Sequence, residues 1–232
     1  MTDISDILEK AKAEGRNYLL EPEAKEIIAR YGIPVTKIKV GKDLDEVLKY
    51  AEEIGYPVVL KIVSPDVIHK SDIGGVKINL RNKAEVERAY KEIIAATKRF
   101  KPDARIVGVL VQEFVPQGTE IIIGVSKDPQ FGPTIMFGLG GIFVEILEDV
   151  SFRIIPITRR DAKEMISEIK GYKVLMGARG RETCDIEAII NALLSVSKLA
   201  WEHQEIKELD LNPIEVYSKG LKVVDARIVL EG

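Results

Sequence analysis

The segment that most constrains the fold is 58–77, in which two apolar runs enclose a lysine, a histidine and two glycines. Val58–Val63 is rich in β-branched residues and predicts a buried strand, and Val76–Leu80 predicts a second strand. Lys61 lies inside the first of these runs. Because a buried ammonium group is costly unless an anion meets it, the sequence predicts a carboxylate or a ligand phosphate near the end of this side chain.

Composition excludes several classes of protein. The 232 residues include 34 basic and 37 acidic side chains and give a net charge of -3, so a basic nucleic-acid-binding face is not expected. No apolar run approaches the ~20 residues of a membrane span. Cys184 is the single cysteine, which excludes a disulfide framework and a cysteine-based metal site. We therefore expect a cytoplasmic globular protein with no membrane or nucleic-acid partner.

The order of the predicted elements indicates two α/β subdomains. Helices are predicted at 22–31, after Asp43 as far as Gly55, from Asn82 to Phe100, at 158–171 and at 185–201. Strands are predicted at 35–40, 58–63, 76–80, 105–115, 120–126, 133–138, 151–157, 209–217 and 221–229. We expect an N-terminal helical segment at 1–20, a first subdomain at 21–103 and a second at 104–232, with a nucleotide-binding cleft between the subdomains.

Polar residues at the ends of apolar strands are candidates for a binding site. Glu113 and Glu120 bracket a loop, although either could simply mark a strand end at the solvent. Asn212 and Asp225 are expected on neighbouring strands near the C-terminus. Because Mg²⁺ prefers oxygen ligands, one amide and one carboxylate beside ligand phosphates could hold it. A turn-forming Asn-Pro and a surface carboxylate are the alternative.

Four further features have less specific interpretations. Arg153 could contact phosphate or pair with a surface acid, and phosphate contact is favoured slightly. His203 is expected to cap or pack a helix end, and Cys184 to be a small residue near a helix start. The Gly-Leu-Gly-Gly sequence at 138–141 is expected to form a ligand-facing loop or tight turn rather than a dinucleotide-binding loop.

Taken in order, these motifs resemble those of ATP-grasp enzymes. The motifs are Val-Val-Leu-Lys at Lys61, Gly-Gly-Val-Lys at 74–77, Gln-Glu-Phe-Val at 112–115, Glu-Ile-Ile-Ile-Gly from Glu120, Leu-Asp-Leu-Asn-Pro at 209–213, and Asp225. The longer motif at 64–76, Ser-Pro-Asp-Val-Ile-His-Lys-Ser-Asp-Ile-Gly-Gly-Val, is highly specific for this resemblance. From about Glu21 onward the chain is most similar to the nucleotide-binding β subunit of the NDP-forming acyl-CoA synthetases, relatives of succinyl-CoA synthetase. The resemblance implies an α/β fold of α+β type, the ATP-grasp fold, with the nucleotide held between two subdomains.

The resemblance also implies roles for individual residues. Nucleotide contacts would come from Lys61 at the phosphates, from Gln112, Glu113, Phe114 and Val115 at the adenine, partly through the backbone, and from Glu120 at the ribose. Asn212 and Asp225 would hold Mg²⁺, and Asp210 would orient an incoming histidine. Such roles suit phosphoryl transfer between ATP or ADP and another group, which needs positioning and charge neutralisation.

His69 marks a departure from succinyl-CoA synthetase, whose loop after the lysine strand is glycine-rich. Residues 62–73 contain no glycine, so backbone cradling of phosphate is poorer here and a side chain is expected to do the work. A neutral imidazole is nucleophilic near cellular pH. The ADP-forming enzymes are thought to use a histidine at this position as a transient phosphate carrier. An exposed loop histidine without a role is the alternative.

The implied activity is that of an acid–thiol ligase: acyl-CoA, ADP and phosphate give carboxylate, ATP and CoA, reversibly. A larger α subunit would supply the CoA-binding domain and the first phosphohistidine, in an α2β2 assembly. Two alternatives stay open, a carboxylate–amine ligase that needs no phosphohistidine and a non-catalytic nucleotide-binding regulatory subunit.

Overall fold

Two antiparallel sheets, each packed against helices, account for most of the described chain. The computed structural model describes residues 3–141, 144, 147–178 and 182–231. Its helices are α1 (Ile4–Ala13), α2 (Glu21–Arg30), α3 (Leu44–Ile54), α4 (Lys83–Phe100), α5 (Arg159–Glu168), α6 (Tyr172–Leu175) and α7 (Ile186–Glu202). Its strands are β1 (Ile38–Gly41), β2 (Val58–Val63), β3 (Val76–Leu80), β4 (Gly108–Glu113), β5 (Thr119–Asp128), β6 (Gly132–Leu139), β7 (Val150–Ile154), β8 (Ile206–Val216), β9 (Leu221–Val223) and β10 (Ala226–Leu230).

Side-chain caps fix the starts of the main helices where the sequence predicted them. The Asp43 carboxylate accepts a hydrogen bond from the Glu46 backbone N–H at 2.9 Å and begins α3. Asn82 does the same for α4, accepting from the Glu85 N–H at 3.0 Å. Each cap satisfies one of the N–H groups that have no partner within a helix, so the local sequence determines the boundary.

The smaller unit comprises Thr36–Pro116. Its four-stranded sheet has the order β1-β4-β2-β3, and α3 and α4 pack against it over a core that includes Val47, Leu60 and Ile93. The predicted boundary between 103 and 104 is therefore wrong for this unit. Strand β4 lies beyond that boundary, yet it pairs with both β1 and β2 and cannot be separated from them.

The larger unit comprises the described residues of Met1–Val35 and Gln117–Gly232. The predicted subdomain boundary at 20/21 is also not observed, because α1 and α2 share one hydrophobic core with the C-terminal strands. Residues 17–19 lie antiparallel beside β10: the Leu19 N–H donates to the Ile228 carbonyl at 2.9 Å, and the Leu230 N–H donates to the Asn17 carbonyl at 2.7 Å. The sheet has the order β10-β8-β5-β6-β7, with β9 also paired to β8.

The predicted single strand at 221–229 is in fact two strands, β9 and β10, that pair with different parts of β8. The break coincides with a bulge in β8, where the pairs Ile121–Ile214 and Ile123–Leu211 leave Asn212 and Pro213 opposite a single residue of β5. A bulge bends its strand, so the neighbouring chain cannot follow it without interruption.

No helix within the described ranges is long and apolar enough to cross a membrane.

Candidate functional site

Lys61 occupies a central position in the smaller sheet. It lies on β2, opposite Val76 of β3 and Leu110 of β4, and is 5% exposed. All six residues of β2 are buried, as the apolar run predicted. An ammonium group buried in such a strand is costly, so it is expected to serve either a structural anion or a ligand.

The His69 loop, residues 64–75, follows β2 directly. Its first turn is held to the smaller unit because the Asp66 carboxylate accepts from the Lys101 ammonium at 2.9 Å and from the Arg105 backbone N–H at 2.7 Å. These two hydrogen bonds hold the pKa of Asp66 below its ordinary value. Val67 is buried, whereas Ile68 is 52% exposed and His69 is exposed. The imidazole therefore stands in solvent next to a fixed turn.

The second part of the loop is held by backbone contacts. The Gly75 N–H donates to the Lys70 carbonyl at 2.8 Å, and the Ile62 N–H donates to the Gly75 carbonyl at 2.8 Å. A Cβ on Gly75 would come within 2.8 Å of Ile62, so glycine is required for this close packing. Both ends of the loop are thus fixed, and the exposed residues lie between them.

The predicted adenine segment is partly used by the protein itself. Gln112 is buried, and the Glu113 carboxylate accepts a hydrogen bond from the Lys37 N–H at 2.8 Å. The Phe114 backbone N–H donates to the Pro57 carbonyl at 3.2 Å, and Phe114 as a residue is 38% exposed. Val115 is partly exposed. The Glu113 side chain thus secures a strand end, the alternative considered from the sequence, and this leaves the backbone and Phe114 as the base-contacting candidates.

On the larger sheet, Glu120 lies opposite Glu215 on neighbouring strands. The Glu215 carboxylate is buried and accepts from the Gly118 N–H at 2.7 Å. Burial raises the pKa of Glu215, and the nearby negative charge of Glu120 raises it further, against the opposite effect of the Gly118 hydrogen bond. Glu120 also accepts a backbone hydrogen bond from Gly140 at 2.8 Å, and a Cβ on Gly140 would lie 2.9 Å from the Glu120 Cβ. Close packing therefore explains Gly140 and likewise Gly138, where a Cβ would lie 2.9 Å from Val150, whereas Gly141 has a positive φ of 60° that favours glycine.

Asp210, Asn212 and Asp225 gather on the face of the larger sheet opposite its hydrophobic core. In β8, Leu209 and Leu211 are buried in the core while Asp210 and Asn212 point the other way. Because Ala226 pairs with Leu211, the preceding Asp225 comes next to Asn212. The two predicted magnesium ligands are thus neighbours, with Asn212 on β8 and Asp225 in the short connection between β9 and β10 rather than on a strand.

Asp210 has the most altered acidity of this group. Burial raises the pKa of Asp210 to about 6, and the charge of Asp225 adds to the rise, although Arg227 acts in the opposite direction. Arg227 is its cross-strand partner on β10. When ionised, a carboxyl group with a raised pKa is a strong hydrogen-bond acceptor, which suits a group that orients an imidazole by accepting its N–H.

The chemistry of these side chains fits Mg²⁺. Asn212 is exposed and Asp225 partly exposed, and both offer oxygen atoms on the same side of the sheet. Within the described residues there is no group of three or more His, Cys, Asp or Glu side chains that could hold a metal by itself. Mg²⁺ commonly takes one or two protein oxygens and completes its shell with water and phosphate, so this small donor set suits it.

Arg153 is the predicted site residue that the structure does not support. Its guanidinium forms a paired interaction with the Glu168 carboxylate, with Nη1 3.0 Å from Oε2, and lies 3.8 Å from Glu164. Both acids belong to α5. The favoured phosphate contact is therefore wrong for this arrangement, because alternation along β7 directs Arg153 to the helical face of the sheet.

The remaining minor predictions are met. The His203 N–H caps α7 by donating to the Leu199 carbonyl at 3.0 Å, and its ring packs edge-on against Tyr31 at 6.1 Å. Cys184 is buried just before α7.

A buried ion pair on α2 was missed. The Lys25 ammonium lies 3.0 Å from the Glu21 carboxylate, and their side chains are 1% and 3% exposed. It also donates a hydrogen bond of 2.7 Å to the carbonyl of Val224, the residue before Asp225. The signal available in the sequence was a Glu and a Lys four residues apart on the same helical face as Ile28.

Comparison with known proteins identifies the class. A family model described as an ATP-grasp domain matches residues 10–230. The chain therefore belongs to the ATP-grasp family, which confirms the resemblance and the fold class inferred from the sequence.

Individual relatives narrow the comparison. The β subunit of acetate–CoA ligase [ADP-forming] I of Pyrococcus furiosus is 55% identical over 225 residues, which cover 97% of each chain. A longer Archaeoglobus fulgidus protein, acetate–CoA ligase [ADP-forming] I, is 51% identical over 97% of this chain and 33% of its own length.

A solved structure agrees with these relatives. The dinucleotide forming acetyl-coenzyme A synthetase 1 of Ca. Korarchaeum cryptofilum, in complex with coenzyme A, Ca-AMPCP and HgCl+, has a TM-score of 0.96, 58% identity, and coverage of 99% of this chain and 100% of that chain. A second structure of that protein holds coenzyme A and Mg-AMPPCP, with a phosphohistidine segment pointing towards the nucleotide binding site (TM-score 0.87, 55% identity, 99% and 100% coverage).

Proposed function

We propose that this chain is the nucleotide-binding subunit of an ADP-forming acyl-CoA synthetase, which converts acyl-CoA, ADP and phosphate reversibly into the free acid, ATP and CoA. Its likeness to the Pyrococcus furiosus β subunit extends over 97% of both chains, which supports this assignment. This chain covers 33% of the longer Archaeoglobus fulgidus relative, which supports the proposal that a separate α partner supplies the CoA site and the first phosphohistidine. The proposed assembly is α2β2, in the cytoplasm.

The observation that carries the proposed mechanism is the exposure of His69 beside a strand that holds a buried Lys61. The imidazole nitrogen attacks the phosphorus of the partner's phosphohistidine, so that one P–N bond forms on His69 as the other breaks. A β-phosphate oxygen of ADP then attacks this phosphorus, the P–N bond to His69 breaks, and ATP forms. His69 returns to its neutral state, so the relay consumes no other reactant.

The other predicted residues have supporting roles. Lys61 neutralises the nucleotide phosphates, the 112–115 segment contacts the base and Glu120 contacts the ribose. Asn212 and Asp225 hold Mg²⁺, which when bound supplies positive charge to the transferring phosphoryl group. Asp210 accepts a hydrogen bond from the incoming histidine and orients it for transfer.

The test is to label the chain, assembled with its α subunit, using γ-labelled ATP and Mg²⁺, and then to separate the subunits. We expect an acid-labile, alkali-stable label on this chain that disappears in His69→Ala and persists in His203→Asn, the matched change of the second histidine. Nucleotide binding should be unchanged in both variants. Normal acyl-CoA turnover by His69→Ala would exclude the relay and favour an ATP-grasp enzyme that does not use a phosphohistidine.

A further inference from the structure

The segment between β9 and β10 carries Asp225 but belongs to neither strand, so its position depends on other contacts. The Val223 N–H donates to the Pro34 carbonyl at 2.9 Å, and the Val224 N–H donates to the Pro213 carbonyl at 3.0 Å. These bonds hold the backbone N–H groups of Val223, the last residue of β9, and of Val224. The peptide that joins Val224 to Asp225 is held through its carbonyl oxygen, by the Lys25 ammonium at 2.7 Å.

The hydrogen bond from Lys25 to the Val224 carbonyl has a buried donor and is charge-assisted, so it is both strong and directional. Lys25 is 1% exposed, and its ammonium lies 3.0 Å from the Glu21 carboxylate. A buried, charge-assisted hydrogen bond is stronger than a neutral one, and it restrains both partners because breaking it would leave the buried ammonium with fewer hydrogen bonds and the Val224 carbonyl without this donor. The side chain of Lys25 therefore fixes the orientation of the peptide immediately before the Asp225 Cα.

We infer that Lys25, supported by Glu21, is a positioning residue for the metal ligand Asp225. The inference deepens the proposed function, because it rests on Asp225 and Asn212 being the Mg²⁺ ligands. Groups that do not bind the metal but hold one of its ligands in position commonly lower the metal affinity about 10- to 100-fold when they are lost. Lys25 reaches the ligand through the backbone of the preceding residue, so its effect should pass entirely through Asp225.

Paired substitutions separate the hydrogen bond from the buried charge. In Glu21→Gln the amide oxygen can still accept from Lys25, and the bond to Val224 is kept. The double variant Glu21→Gln/Lys25→Met removes both charges together with that bond, so no carboxylate is left buried without a partner. The matched control is Arg16→Met/Glu23→Gln, because Arg16 is also buried and donates to a carboxylate, Glu23, and to a backbone carbonyl, that of Tyr18.

The measurement is Mn²⁺ affinity by electron paramagnetic resonance, with ADP present and the chain assembled with its α subunit. We expect the Glu21→Gln/Lys25→Met variant to bind Mn²⁺ about 10-fold more weakly. Glu21→Gln and the Arg16 control should each change the affinity by less than about 2-fold, a small fraction of that effect. In an Asp225→Asn background the Lys25 double variant should cause no further loss.

Two results would overturn the inference while leaving the proposed function intact. One is an unchanged Mn²⁺ affinity in the Lys25 double variant, when Asp225→Asn still weakens binding. The other is a non-specific loss of Mn²⁺ affinity, equally large with and without Asp225 or equally large in the Arg16 control, which would indicate a general effect on stability. Failure of the unsubstituted assembly to bind Mn²⁺ with ADP, or an Asp225→Asn change without effect, would instead refute the proposed metal site.

Discussion

The Asp66 carboxylate lies 2.9 Å from the Lys101 ammonium and joins the first turn of the His69 loop to the segment after α4. The same carboxylate accepts from the Arg105 N–H. His69 stands three residues further along the chain. Its freedom to move is therefore limited by where this turn is held.

We predict that Asp66→Asn loosens the loop without impairing nucleotide binding. The ion pair with Lys101 is lost, although the amide oxygen can still accept from Arg105. Amide hydrogen exchange at 64–75 should quicken, and the rate of phosphoryl transfer through His69 should fall by about tenfold because the imidazole is less often in position. Lys101→Met should reproduce the effect. Asp103→Asn, an exposed carboxylate two residues further on, should not, and equal effects from all three would contradict the prediction.

The second prediction concerns the buried cation of β2. Lys61→Met retains most of the side-chain volume and removes the charge, so the fold should be preserved. ADP affinity should fall by about 100-fold, near 3 kcal/mol, because the nucleotide phosphates lose their buried counter-charge. Calorimetric titration of ADP with Mg²⁺ measures this loss. The control is Lys77→Met on the neighbouring strand, where the ammonium pairs with Glu92 at 2.6 Å, and it should bind ADP normally.

The third prediction tests the revised role of Arg153. Because Glu168 and Glu164 surround its guanidinium, Arg153→Ala should leave ADP affinity within a factor of two of the original and lower the free energy of unfolding by about 0.5–1 kcal/mol. Glu168→Ala should change the stability in the same direction, and the double variant should show coupling between the two changes. A large loss of ADP affinity in Arg153→Ala alone would restore the phosphate contact expected from the sequence.

The fourth prediction is a pH dependence at Glu215. The pKa of Glu215 is raised by burial in the folded state above its value in the unfolded chain, so the unfolded chain releases the proton first as the pH rises. The ionised Glu215 side chain therefore lowers the stability of the fold once the pH exceeds the pKa of Glu215 in the unfolded chain. The loss of stability is complete once the pH exceeds the pKa of Glu215 in the folded state. Glu215→Gln keeps the acceptor for Gly118 and removes the cost.

Urea unfolding of the chain at pH 3.5 and at pH 8 provides the measurement. Glu215→Gln should be as stable as the original at the lower pH and more stable at the higher pH. Glu120→Gln should shift the same dependence to lower pH, because the Glu120 charge contributes to the raised pKa of Glu215. If Glu215→Gln raised the free energy of unfolding equally at both pH values, the charge of Glu215 would not be responsible for the gain.

Features set by neighbouring residues were predictable from the sequence. The caps at Asp43 and Asn82, the buried strand around Lys61 and the adjacency of Asn212 and Asp225 all follow from local chemistry and strand order. The subdomain boundary was not predictable, because the pairing of β4 with β1 and β2 depends on contacts far apart in sequence. The predicted phosphate contact of Arg153 was wrong because the helix that covers this face of the sheet supplies Glu168 as its partner. The periodicity of the sequence does not show which helix packs on which face.

The strand-like residues 17–19 have a consequence for any shortened form of this chain. They occupy the outer hydrogen-bonding groups of β10, the last strand on that side of its sheet. Without them, the freed N–H and C=O groups would form a template for strand addition by a second molecule. We therefore expect a variant that lacks its first nineteen residues to self-associate, and not merely to lose a helix.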